Sequence, residues 1–215
     1  MSQAIQILSR ESSSLSEEAY SRIRSMIITL ELLPGSLLSE SELMAKLGFG
    51  RTPIREANEK LVEVYPRRGM FVSTVDVQNL SALSEIRAVL EIKAAELAAE
   101  RSTLADHGVT TALIAEIKGI KGDVNMATLI ELDQRIHHHI YQCTHNEFLA
   151  AALDNYYAHA LRIWFLALDR VTGLAEAIIE HSALLEAISK SDSVAAGKAM
   201  RSHVEGFEAS IRKSL

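Results

Sequence analysis

Four side chains in the second half of this 215-residue chain have the types and spacing of a metal site. Asp133 and His137 stand one helical turn apart in the apolar stripe Leu129, Asp133, Ile136, His137, Ile140. His181 interrupts the stripe Leu174, Ile178, Leu185, Ile188, and His203 interrupts Ala196, Met200, Phe207, Ile211. Arg87 takes a leucine position in Leu80, Leu83, Leu90, Ala94, Leu97. Burying ionisable groups is costly unless they pair or bind a metal. Neutral imidazoles with one carboxylate suit a first-row divalent ion. Spacing alone leaves two alternatives open, a metal centre or a set of satisfied core histidines.

These stripes need long helices to carry them. From Val77 onward there is no proline, and the periodicity predicts helices near 77–101, 109–120, 125–144, 146–170, 173–190 and 193–213, with breaks at Gly108, Gly122-Asp123 and Ser191-Asp192. Such a pattern predicts an antiparallel helical bundle.

The first 75 residues read differently. All three prolines lie there, and all eight histidines lie after them. Lys+Arg and Asp+Glu balance up to Val75, so the net charge of −6 arises entirely beyond it. Two domains are expected, residues 1–75 and 76–215. Residues 17–30 put Ala19, Ile23, Met26, Ile27 and Leu30 on one helical face, and Leu33-Pro34-Gly35 stops that helix. Ser39 and Glu42 have capping-box spacing for a short helix that Gly48 ends, and Thr52-Pro53 predicts a second start. VEVYPRRGMFVS alternates like a hairpin. The expected fold is mainly α: a winged helix-turn-helix followed by about six bundle helices.

ELLPGSLLSESELMAKLGFGRTPIREA followed by YPRRGMFV resembles the DNA-binding domain of GntR-family bacterial transcription regulators. The resemblance implies that the helix Arg51–Leu61 enters the major groove and the wing reaches the minor groove. Arg51, Thr52 and Arg55 would then contact DNA from a helix N-terminus, and Arg67, Arg68 and Gly69 from the hairpin tip. Ser41 and Gly50 depart from the family pattern, which favours arginine and serine or threonine there. EKLVEVYPRRG also passes from helix to strand without turn residues, which suggests missing residues at that connection.

LSEIRAVLE, LDQRIHHHIYQCTHNEFL and EHSALLEAISKSDSVAAGKAMRSH resemble the FCD ligand-binding domain of FadR-type members. That resemblance assigns Asp133, His137, His181 and His203 as ligands of a divalent ion, Zn²⁺ first, with Ni²⁺ or Mn²⁺ also admissible. It assigns Arg87 and Asn146 to a small carboxylic-acid effector. The implied function is a ligand-responsive, homodimeric regulator of operator DNA and not an enzyme. A metalloenzyme or pure metal sensor on the same bundle is the alternative, although no general base is evident beside the ligands. The single cysteine, Cys143, and the lack of a membrane-spanning or signal pattern point to a cytoplasmic protein.

Overall fold

The computed structural model describes residues 15, 16, 18–52, 54, 62–74, 80–122, 124–167 and 174–214. The chain divides into two compact units, Met1–Asp76 with Leu161–Leu166, and Val77–Ala160 with Ala167–Leu215. The placement of 161–166 in the first unit is a grouping that a linear division does not contain.

In the first unit, α1 (residues 18–28) buries Ala19, Ile23, Met26 and Ile27, the face expected from their spacing. Leu38, Leu43, Ile54 and Val72 complete this small core. Helix α2 (Glu40–Leu47) starts at Ser39, whose hydroxyl accepts from the Glu42 amide at 3.3 Å, and ends at Gly48. Gly48 adopts φ +75°, a left-handed position that favours glycine. The next helix begins earlier than Thr52-Pro53 suggests. Arg51 and Thr52 are already helical, and the Ile54 amide reaches Gly50 O at 3.4 Å. Gly50 therefore supplies the first carbonyl. The helix-to-wing connection falls on residues 55–61, outside the described residues.

The expected hairpin is present, with an addition. Strands β1 (Leu37–Leu38), β2 (Val62–Tyr65) and β3 (Gly69–Val72) form an antiparallel sheet in the order β1-β3-β2. Tyr65 pairs with Gly69 across the Pro66-Arg67-Arg68 tip, and Leu38 pairs with Met70. A two-residue strand carries too little alternation to stand out in sequence, so β1 was not anticipated.

Beyond residue 79 six helices are described: α3 (Leu80–Arg101), α4 (Leu104–Lys118), α5 (Met126–Cys143), α6 (Glu147–Ala167, of which Leu161–Leu166 groups with the first unit), α7 (Leu174–Ser189) and α8 (Ser193–Ser214). Helix α3 packs against α5, α7 and α8, and α7 also packs against α4 and α8. The expected start of α4 near 109 is corrected to Leu104. Thr103 and Asp106 form a reciprocal capping box, and Gly108 lies inside the helix instead of breaking it. The buried line of α3 also differs from the expected leucine stripe. It runs through Leu80, Ser84, Arg87, Glu91, Ala94 and Ala98, leaving Leu83, Leu90 and Leu97 half-buried. Small alanines on this face let the neighbouring helices approach closely.

Candidate functional site

Helices α5, α7 and α8 bring His137, His181 and His203 together. His137 Nε2 lies 3.2 Å from His181 Nε2 and 3.2 Å from His203 Nε2. One nitrogen from each ring falls within 4.8 Å of the others. Asp133, one turn before His137, places Oδ1 3.8 Å from His181 Nε2. Its Oδ2 accepts a 2.5 Å hydrogen bond from the Tyr157 hydroxyl, while Oδ1 is buried without a hydrogen-bond partner. Tyr157 also stacks on the His137 ring, with centroids 4.6 Å apart.

The electrostatics keep the later histidines neutral. Burial pushes His181 down to about 4, against the opposing pull of Asp133. Burial and the two neighbouring imidazoles push His203 well below the usual histidine range. Three imidazoles with nitrogens facing one another, beside a carboxylate oxygen without a hydrogen bond, form a donor set that fits a divalent cation. His137, His181 and His203 are the described residues whose donor atoms meet closely enough to hold it, with Asp133 Oδ1 beside His181.

Arg87 has an internal partner that sequence reasoning missed. Its Nε–H donates to Glu91 Oε1 at 2.6 Å, and both side chains are almost wholly buried. Helix α3 thus supplies Arg87 with an anion four residues on. Burial works to raise the Glu91 carboxyl, but Arg87 and His137 outweigh it and hold it down at about 2. Arg87 Nη1 is still buried without a hydrogen-bond partner, and the guanidinium lies 5.1 Å from the Phe207 ring centroid. Glu91 escaped notice because a glutamate in a helix ordinarily reads as solvated surface.

Asn146 is placed differently from Arg87. Its side-chain oxygen accepts from the Leu149 amide at 3.2 Å, capping α6. It lines a cleft of about 320 Å³ with Tyr141, Gln142, His145, Glu147 and Ala150. Tyr141 links the two places, since its hydroxyl lies 3.1 Å from His137 Nδ1. His138 is exposed, as its position on the helix suggests. His139 instead meets the Thr110 hydroxyl at 2.8 Å and tethers α5 to α4. Cys143 is buried beside His139, and burial raises its thiol to about 11.

In the first unit, Arg51 and Thr52 are exposed at the start of their helix. Arg67, Arg68 and Gly69 are exposed at the hairpin tip, while Arg55 lies outside the described residues. Arg67 has φ +66° and Gly69 φ +102°. The Gly69 φ lies where side-chain-bearing residues are strained, so the tip geometry favours glycine.

Two family models match the chain in sequence order. Residues 15–72 match the bacterial regulatory proteins of the gntR family, and residues 82–206 match the FCD domain. An HTH-type transcriptional regulator in an unstable DNA locus of Streptomyces ambofaciens is 30% identical over 193 residues, spanning 87% of this chain and 80% of that protein. The HTH-type transcriptional repressor RspR of Escherichia coli is 24% identical over 204 residues, spanning 93% and 90%. Among solved structures, Escherichia coli McbR/YncC superposes with a TM-score of 0.79 at 21% identity, covering 93% of this chain and 97% of that one. A GntR transcriptional regulator from Rhodococcus sp. RHA1 gives 0.67 at 20% identity, covering 94% and 99%. The helix-turn-helix with its wing, the helical unit that follows, and these matches in the same order place the chain in the GntR family of transcriptional regulators, with a C-terminal FCD domain.

Proposed function

We propose that this regulator reads operator DNA as a homodimer through residues 1–75 and senses a small carboxylic acid through residues 76–215. One divalent ion would be held by Asp133, His137, His181 and His203, with Zn²⁺ the first choice and Ni²⁺ or Mn²⁺ admissible. The observation that carries this reading is the meeting of three imidazole Nε2 atoms beside the unpaired Asp133 Oδ1. Such an ion supplies Lewis-acid positions at which carboxylate oxygens bind.

The chain's own residues do the rest. Tyr157 orients Asp133 by taking Oδ2, which leaves Oδ1 directed at the cluster. Arg87 Nη1 offers a charged donor in a buried setting, where it favours a carboxylate over a neutral ligand. Asn146 is a less direct candidate, since its oxygen already caps α6. On the DNA side, Arg51 and Thr52 stand at a helix N-terminus suited to phosphate and base edges. The following Arg55 joins them by resemblance. Arg67 and Arg68 project from the wing tip, with Gly69 allowing the turn.

Acid and operator must act on each other reciprocally if the pocket is the switch. Candidate small carboxylic acids are titrated calorimetrically into metal-loaded protein with and without its selected operator. The expected result is an acid affinity changed by operator by the same factor as operator affinity is changed by acid. Equal acid affinities in the two titrations would refute the switch.

A further inference from the structure

We infer that Glu91 is a positioning residue for His137, fixing the ring as its Nδ1–H tautomer so that Nε2 faces the histidine cluster as a lone pair, and that Arg87 holds Glu91 in this role. The consequence for metal affinity rests on the metal reading above; the tautomer itself does not.

Glu91 is fully buried, and its two oxygens have different surroundings. Oε1 takes the Arg87 Nε–H at 2.6 Å. Oε2 lies 3.3 Å from His137 Nδ1 and has no aligned hydrogen bond. An ionised carboxylate can only accept. A proton on Nδ1 sets its positive end 3.3 Å from the Oε2 charge, an attraction that does not need hydrogen-bond alignment, whereas a lone pair there would set two acceptors against each other in a dry interior. The Tyr141 hydroxyl, 3.1 Å from the same nitrogen, can turn to donate or accept, so it adapts to the ring's choice without making it. In a ring carrying one proton, placing it on Nδ1 leaves Nε2 as the lone pair, and Nε2 is the nitrogen 3.2 Å from both His181 and His203. A carboxylate on the far nitrogen of a liganding histidine raises that ligand's basicity and sets its orientation.

This gives Arg87 two duties. One arm anchors Glu91, and Nη1 is left for an incoming acid. Removing Arg87 therefore frees Glu91 and, through it, His137.

The test uses the full chain. Long-range ¹H–¹⁵N spectra of chelator-treated protein report each histidine tautomer, and His137 is expected as Nδ1–H before and after Zn²⁺ is added. An Nε2–H ring in the metal-free wild type overturns the inference. Zn²⁺ affinity is then measured by competition with a chromophoric chelator. Glu91→Gln offers one good acceptor to two donors and should weaken Zn²⁺ binding about 10- to 100-fold. Glu91→Asp, which keeps both acceptors, should recover part of that loss. Glu100→Gln, on the exposed side of the same helix, should change nothing. A folded Glu91→Gln protein with wild-type tautomer and affinity overturns the relay while leaving the metal reading intact. A wild type that takes up none of Zn²⁺, Ni²⁺ and Mn²⁺ sinks the metal reading, and the tautomer spectrum still decides the role of Glu91.

Discussion

Replacing Arg87 with methionine removes the guanidinium but keeps an unbranched apolar stem of similar reach. What remains is a Glu91 carboxylate with no exposure, having lost its 2.6 Å partner. Breaking a buried pair from one side costs about 3–5 kcal/mol. The direction agrees, since Arg87 heads the influences that hold the Glu91 carboxyl below its ordinary range despite burial. Against a typical total of about 5–15 kcal/mol, the loss is large. Replacing both residues, Arg87→Met with Glu91→Leu, removes the orphaned charge and should restore most of the stability. A double-mutant cycle should therefore show a coupling of about 2 kcal/mol or more. The assay is urea unfolding in chelator, followed by circular dichroism, so that metal does not contribute. The sign of the pH effect adds a check. Without Arg87, burial raises the Glu91 carboxyl above its unfolded value, so the folded variant binds the extra proton. Its deficit should shrink as pH falls from 7 towards 5. Additive single-variant effects, or a deficit that grows on acidification, would refute the ion-pair argument.

Three further expectations can be checked directly. The His181→Ala/His203→Ala double variant should lose the bound divalent ion, read as metal content by mass spectrometry after purification without chelator; full occupancy would sink the ligand assignment. In metal-free protein, His181 is depressed to about 4 while the unfolded chain titrates near 6.5. The unfolded state binds more protons between those values, so stability is fully present above about 6.5 and should fall by roughly 3 kcal/mol towards pH 4, with His203 adding to the loss. A pH-independent unfolding midpoint across that window would contradict the neutral cluster. Arg51→Ala should cost about 1–3 kcal/mol on selected operator and relax its specificity, whereas Arg67→Ala or Arg68→Ala should weaken all duplexes and flatten the salt dependence, both measured by fluorescence anisotropy.

Much of this molecule was legible in the sequence because its signals are local. The spacing of Ala19, Ile23, Met26 and Ile27 names a buried helical face wherever that helix packs. The Ser39 start and Gly48 stop are set by backbone chemistry within a few residues. Asp133, His137 and His181 could be singled out because polar groups on an apolar stripe must be buried once that stripe is. The stripe of α3 was misjudged for the opposite reason. Leucines at helical spacing suggest one face, but the face that turns inward depends on which neighbours approach, and the alanines let α3 pack closely along the line through Ser84 and Glu91. The short strand β1 exists only because β3 is there to pair with it. Likewise, nothing in Glu91 by itself distinguishes a solvated glutamate from a buried one. Its role is decided by Arg87 one turn before it and by His137 arriving from another helix, so only the tertiary structure could reveal it.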